Sequence, residues 1–208
     1  MIKVGLTGGI GSGKSTVSNM IIEKNIPVVD ADLISREVLS LYPETLHEIK
    51  AIFGEEFIDN EGNLKRRELG NYIFKSDELR KKLENILIPY IKKEIFNRIE
   101  KYNSVKEKLC IVDAPTLIEH SIHREMDYNI LVWVDRDIQI KRVIERDKLD
   151  EAQINNRINS QMRLEDKRKE VNYIIDNSRD LNYTKGQLED ILREITLNGG
   201  KNEGRKKD

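Results

Sequence analysis

The sequence predicts an α/β fold three layers deep, with helices on both faces of a mainly parallel sheet, and three observations predict it. Short apolar runs recur at Ile2 to Leu6, Pro27-Val28-Val29-Asp30, Leu109-Cys110-Ile111-Val112, Ile130 to Val134 and Tyr173-Ile174-Ile175. Runs this short and this apolar are strands buried on both faces, as in a parallel sheet. Long stretches with helical spacing separate them, which is what crossovers between parallel strands require. Finally, a glycine-rich loop from Gly8 to Ser15 joins the first run to a segment where Val17, Met20, Ile21 and Ile22 recur at helical spacing.

A chain of 208 residues accommodates one such core with an inserted subdomain. Charged residues make up 35% and apolar residues 38%, a polar composition that still suffices for a folded core. The net charge of −1 argues against nucleic acid or an anionic membrane as a partner, so any anion is bound at a local site. No apolar run approaches the roughly 18 residues of a membrane span, and no secretory segment precedes the first strand, so a cytoplasmic protein is expected. Cys110, the single cysteine, is read as a small buried core residue.

The second and third strands are separated by far more chain than one crossover helix needs. Leu46, Ile49 and Phe53, the turn-like Asp59-Asn60-Glu61-Gly62-Asn63, and then Leu79, Leu83, Ile86, Ile91, Ile95 and Ile99 with an interruption at Pro89 read as a mainly helical insertion over 42–104. Residues 1–41 and 105–197 then form the core. Within it, 136–170 is dense in charge with a thin apolar stripe of Ile140, Val143, Ile144, Ile154, Ile158 and Met162, a weakly packed helical pair suited to a lid. Leu188, Ile191, Leu192 and Ile195 mark a final helix docked on the core. Residues 198–208 collapse to polar and charged types and are expected to be disordered.

Gly8 to Ser15 matches G-x-x-x-x-G-K-[ST] at every fixed position, between an expected strand and an expected helix. This is the context of a P-loop nucleotide-binding fold. Its glycines let backbone N–H groups converge on phosphate oxygens, and the following helix contributes its positive end. Gly11, Ser12, Gly13, Lys14, Ser15 and Thr16 are therefore candidate ATP ligands. Lys14 would bridge the β and γ phosphates, and Ser15 would offer its hydroxyl to Mg²⁺. The loop alone does not decide what becomes of the γ phosphate.

Asp30 and Asp32 follow the second strand at the sheet edge where open α/β sheets place ligands. Asp32 is the candidate base for an acceptor hydroxyl. Asp30 is a helper or a metal-shell residue, and a helix cap is the alternative for either. Asp113 ends the third strand, the pattern of a carboxylate that holds Mg²⁺, though a turn-initiating Asp gives the same pattern. Arg142, Arg146, Arg157 and Arg163 lie in the charged stretch, with Arg142 and Arg146 on one helix face at i and i+4. Either of that pair is a candidate for stabilising a transferring phosphoryl group. His47, His120 and His123 show no metal-ligand spacing and read as surface residues. Trp133 reads as core, and Lys65-Arg66-Arg67 as a solvated helix start.

With these motifs in order, the chain resembles the dephospho-CoA kinase family along nearly its whole folded length. Leu6 to Ser15 is similar to the family's opening, and Asp30-Ala31-Asp32 with Arg36 to its second signature. Phe53-Gly54, Gly62-Asn63-Leu64-Lys65-Arg66, Leu69 and Phe74 resemble its inserted acceptor-binding region. Pro115-Thr116-Leu117-Ile118-Glu119 resembles a Pro-Leu-Leu-hydrophobic-Glu segment, Arg142 with Arg146-Asp147 the lid, and Ile175-Asp176-Asn177 the segment near the adenine. The resemblance implies transfer of the ATP γ phosphate to the ribose 3′-hydroxyl of dephospho-CoA, with Asp32 as base, Asn177 beside the nucleotide and Lys14 with Arg142 or Arg146 at the phosphate. Two positions depart from the family pattern: Ile88 precedes Pro89 where His is usual, and Thr116 replaces the central Leu. A nucleoside or nucleotide kinase is the nearest alternative. A GTPase switch would need an Asn-Lys-x-Asp segment, which the sequence lacks.

Overall fold

The computed structural model describes residues 1–74, 76–147, 153–154 and 158–202. Two compact units divide the chain: Met1–Asp30 with Ile99–Asp208, and Ala31–Arg98.

The first unit is built on five parallel strands, β1 (Ile2–Gly8), β2 (Val28–Asp30), β3 (Leu109–Asp113), β4 (Tyr128–Trp133) and β5 (Tyr173–Asp176), in the order β2-β3-β1-β4-β5. All five expected strands form, each shifted by no more than two residues at an end. The central position of β1 explains its composition. It pairs with β3 from Ile2↔Leu109 to Leu6↔Asp113 and with β4 from Val4↔Tyr128 to Gly8↔Val132, so Val4 and Leu6 are fully buried. Helix α1 (Lys14–Glu23) packs Val17 and Ile21 onto this sheet, and the last helix brings Leu188, Leu192 and Ile195 to the same cluster. Cys110 is buried in β3, and desolvation pushes its thiol up to about 12, which makes it an inert core side chain.

The second unit holds α2 (Ala31–Leu41), α3 (Glu44–Phe53), α4 (Arg66–Ile73) and most of α5 (Asp77–Ser104). It begins at Ala31 rather than near residue 42, because α2 is tied to the other insertion helices. Arg98 of α5 bonds Glu37, and Arg66 donates to the Arg36 carbonyl at 2.7 Å. The Asp59 carboxylate accepts the N–H groups of Glu61 and Asn63 at 2.9 and 2.8 Å, closing the expected turn. Pro89 does not break α5, which runs through it for 28 residues. The buried stripe steps from Ile86 to Ile91 across the proline and then keeps a spacing of four through Ile95 and Ile99. Packing of these isoleucines offsets a cost of about 3 kcal/mol for an interior proline.

Back in the first unit come α6 (Arg136–Asp147), the single turn α7 (Leu164–Lys167) and α8 (Leu181–Asn202). The thin apolar stripe is real: Val143, Ile154 and Ile158 form a small cluster with Ile10 and Ile140, while Ile144 stays 42% exposed. Helix α8 continues through 198–202, five residues of the segment read as disordered, since each residue added to a nucleated helix gains a hydrogen bond. Residues 203–208 and Arg157 lie outside the described residues.

Candidate active site

The end of β1 delivers the loop at Gly8 to the edge of the sheet where the strands' C-termini lie. Gly11 and Gly13 take φ of +73° and +85°, a region closed to most side chains. A Cβ on Gly13 would also stand 2.0 Å from Asn177 Nδ2, so both backbone and neighbour demand glycine here. Helix α1 starts at Lys14 with no side-chain cap at Gly13. Its first N–H groups have no carbonyl one turn earlier to meet, and the macrodipole is positive at that end. Glycine geometry and helix end together make the anion cradle expected from the spacing.

The loop is held from outside by polar groups on three elements. Asn177 donates from Nδ2 to the Ser12 carbonyl at 2.8 Å, and its Oδ1 accepts from Thr184 Oγ1 at 2.8 Å. Gln139 of α6 donates to the Ile10 carbonyl at 2.7 Å. Gln161 accepts the Ile10 N–H at 2.9 Å. Asn177 is 4% exposed with both ends of its amide engaged, so its side chain braces the loop.

Lys14 Nζ is ion-paired with Asp113, which is 5% exposed and ends β3. Parallel register sets Asp30 beside Asp113. Asp32 is exposed in the first turn of α2, two residues beyond Asp30. The structure thus gathers Gly11, Ser12, Gly13, Lys14, Ser15, Thr16 and Asp113 around one loop. Asp32 belongs to the insertion unit.

The arginines separate. Arg142 donates to the Asn177 carbonyl at 2.9 Å and, with Gly13, Thr16, Asn177, Arg179 and Asp180, lines an open cleft of about 690 Å³. Arg146 makes a two-pronged bond to Asp147 at 2.6 and 3.0 Å, and its side chain is 59% exposed. Arg163 is paired with Asp166 at 3.4 Å. A helical spacing of four aligned Arg142 and Arg146 on one face, but the side chains take different partners.

A second cavity of about 360 Å³ lies at the end of β4, lined by Gly9, Trp133, Arg136, Gln139, Asn159 and Gln161 among others. Trp133 packs against the core cluster of Leu131, Val134 and Leu164 and, as the last residue of its strand, also lines this cavity; its indole donates to Glu165 at 3.2 Å. His123, expected at the surface, is buried in the turn before β4. Three bracing residues carried no signal in the sequence: Gln139, Gln161 and Lys167. Each lies in the charged stretch and looks solvated until the fold brings it to its partner, Ile10 of the loop for the two glutamines and the turn after β3 for Lys167.

The family model for dephospho-CoA kinase matches residues 2–182, which span the phosphate loop, the insertion and the arginine stretch. The chain belongs to the dephospho-CoA kinase family. It is 52% identical over 197 residues to the dephospho-CoA kinase of Clostridium perfringens, covering 95% of this chain and 99% of that one. With the dephospho-CoA kinase of Clostridium tetani it shares 50% over 195 residues, 93% of this chain and 86% of the relative. Among solved structures, TT1252 from Thermus thermophilus superposes with a TM-score of 0.77 at 27% identity, covering 93% of this chain and 97% of that one. Dephospho-CoA kinase membership thus accounts for the order of motifs, and the five-stranded parallel sheet is that of the kinase fold.

Proposed function

We infer that the chain acts as a dephospho-CoA kinase, moving the γ phosphate of ATP to the ribose 3′-hydroxyl of dephospho-CoA in the last step of coenzyme A synthesis. The observation that carries this reading is the family match over residues 2–182 together with an intact phosphate cradle at Gly8 to Ser15. In the proposed mechanism the loop N–H groups and the start of α1 hold the phosphates. Lys14 leaves Asp113 for the β and γ oxygens. Asp32 orients the 3′-hydroxyl and takes its proton as the oxygen bonds to the γ phosphorus and the bond to the β-bridging oxygen breaks. Arg142, already at the cleft rim, meets the charge spread over the transferring group; Arg146 would need a new rotamer to join it.

The donor set suits a metal carried in with the nucleotide. Among the described residues no three His, Cys, Asp or Glu cluster as a metal cage, whereas Mg²⁺ is usually bound by one or two protein oxygens plus substrate phosphates. Ser15 and Asp113 would hold it, and bound Mg²⁺ would supply charge neutralisation of the β and γ oxygens. No helix among the described residues is long and apolar enough to cross a membrane, and action in the cytoplasm is proposed with ATP and dephospho-CoA as the partners.

The test is coupled: CoA formation and ADP release are followed with ATP, Mg²⁺ and dephospho-CoA, beside an Asp32→Asn variant and a panel of nucleoside acceptors. Wild type should form CoA, and the variant should lose about 10²-fold or more in kcat. ADP release with a nucleoside but not with dephospho-CoA would sink the assignment.

A further inference from the structure

Among the described residues, Lys167 is the largest fully buried side chain and it is charged, with no exposed area at all. Burying an ammonium group is costly unless it is paired and hydrogen-bonded. Here Nζ donates to the Pro115 carbonyl and to the Glu119 carboxylate, 3.0 Å away. Both acceptors lie in the turn that follows β3, the strand ending in Asp113.

That turn and the segment carrying Lys167 are bound together and to the phosphate loop at further points. The Pro115 carbonyl also accepts from Thr7 Oγ1 at 3.1 Å, one residue before Gly8. Glu119 accepts the Met162 N–H at 3.3 Å, and Gln161 beside it holds Ile10. Desolvation lowers the Lys167 pKa, with Glu119 acting against it.

Resting on the kinase reading above, we propose that Lys167 and Glu119 form a positioning pair that fixes the segment Gln161–Lys167 and the turn after Asp113 around the phosphate loop. Fully buried, Lys167 touches no substrate. It acts through the loop: Gln161 holds the Ile10 amide, Thr7 is anchored at the foot of Gly8, and Asp113 stays where it receives Lys14. A fully solvated lysine would not require a carboxylate, a carbonyl and complete burial.

The experiment compares wild type, Lys167→Met, Glu119→Gln and the double variant as the full chain, by thermal unfolding, by binding of a fluorescent ADP analogue, and by kcat and KM. Lys167→Met leaves Glu119 without its cation and lowers the unfolding temperature; the double variant, which removes both charges, recovers much of that loss. ADP affinity and kcat should nonetheless stay down about tenfold in both, because the Pro115 carbonyl has lost one of its two donors and the segment its tie. KM for dephospho-CoA should stay within about twofold. Should Lys167→Met fail to fold, the double variant decides. Wild-type ADP affinity and kcat in a stable double variant would overturn the proposal and leave the pair a fold contact alone. ADP binding needs no acceptor, so this arm still judges the pair if wild type makes no CoA.

Discussion

The two units of the chain hold their polar groups in different ways. Around the phosphate loop, several polar side chains are buried and committed to defined partners: Asn177 to Ser12 and Thr184, Gln139 to Ile10, Lys167 to Pro115 and Glu119. In the insertion, the polar ties lie nearer water. Arg98, 25% exposed, bridges Glu94 and Glu37. One unit is built to keep a loop in one shape, since backbone donors aimed at phosphate lose their value with small displacements. The other tolerates change at its surface. This difference predicts that equivalent insults will damage function in the first and stability in the second.

The largest effect is expected for Gly13→Ala. Its Cβ would meet Asn177 Nδ2 at 2.0 Å on a backbone already at φ +85°, so either the loop or the brace must move. ADP affinity, read with a fluorescent analogue, should fall about 10²-fold, beside a stability loss no smaller than the strain expected of a side chain at positive φ. Gly62→Ala in the insertion is the control, because φ is +84° there but nothing lies within 4 Å. It should leave ADP affinity alone and cost about 1 kcal/mol of stability from backbone strain. Equal losses of ADP affinity in the two would erase the contrast.

Next comes Arg142→Ala. It removes a donor to the Asn177 carbonyl and a cation at the cleft, and should lower kcat by a factor of tens or more while changing stability little. A change confined to KM for ATP would reassign Arg142 to nucleotide binding.

What the sequence made legible follows the same division. The loop was readable because phosphate binding demands particular residues at fixed spacing, and β1, β3 and β4 because strands buried on both faces are mainly apolar. Pro89 misled, since a local rule for proline says nothing of the isoleucines packed on either side of it. His123 was misplaced because composition does not say which turn folds inward. The braces Gln139, Gln161 and Lys167 were invisible, because a polar residue in a charged stretch looks solvated until its distant partner is known. Lys167 and Glu119 are 48 residues apart, and no periodicity connects them.

In the insertion, acidity is the means of attack. Burial works to raise the Glu94 pKa, but hydrogen bonds from Arg98, Asn97 and Tyr42 outweigh it and hold the carboxyl below its ordinary value. A carboxylate lowered by folding stabilises above its unfolded pKa, and that contribution is lost as pH falls through the folded value. The stability of wild type should therefore decline as pH drops below the usual Glu range. Glu94→Gln should lose stability at neutral pH, on the order of 1 kcal/mol after allowing for the partly solvated arginine, and show a flatter decline in acid. ADP affinity near neutrality should stay as in wild type; a loss would show that the insertion's polar ties reach the phosphate loop.

The smallest effect is expected where the sequence saw no distinction. Arg146 shares a helix face with Arg142, yet its side chain is 59% exposed and its guanidinium is spent on Asp147, and the Asp147 hydrogen bond holds its pKa up. An exposed pair between chain neighbours contributes little to stability, so Arg146→Ala should leave the unfolding temperature within about 1 °C. Its effect on kcat measures how far α6 rearranges during turnover. If Arg146 keeps Asp147 throughout, kcat should change less than about threefold, against tens for Arg142→Ala. A loss equal to that of Arg142→Ala, with ADP affinity unchanged, would mean that Arg146 abandons Asp147 for the transferring phosphate once both substrates are bound, since apo geometry need not be the geometry of the reacting complex.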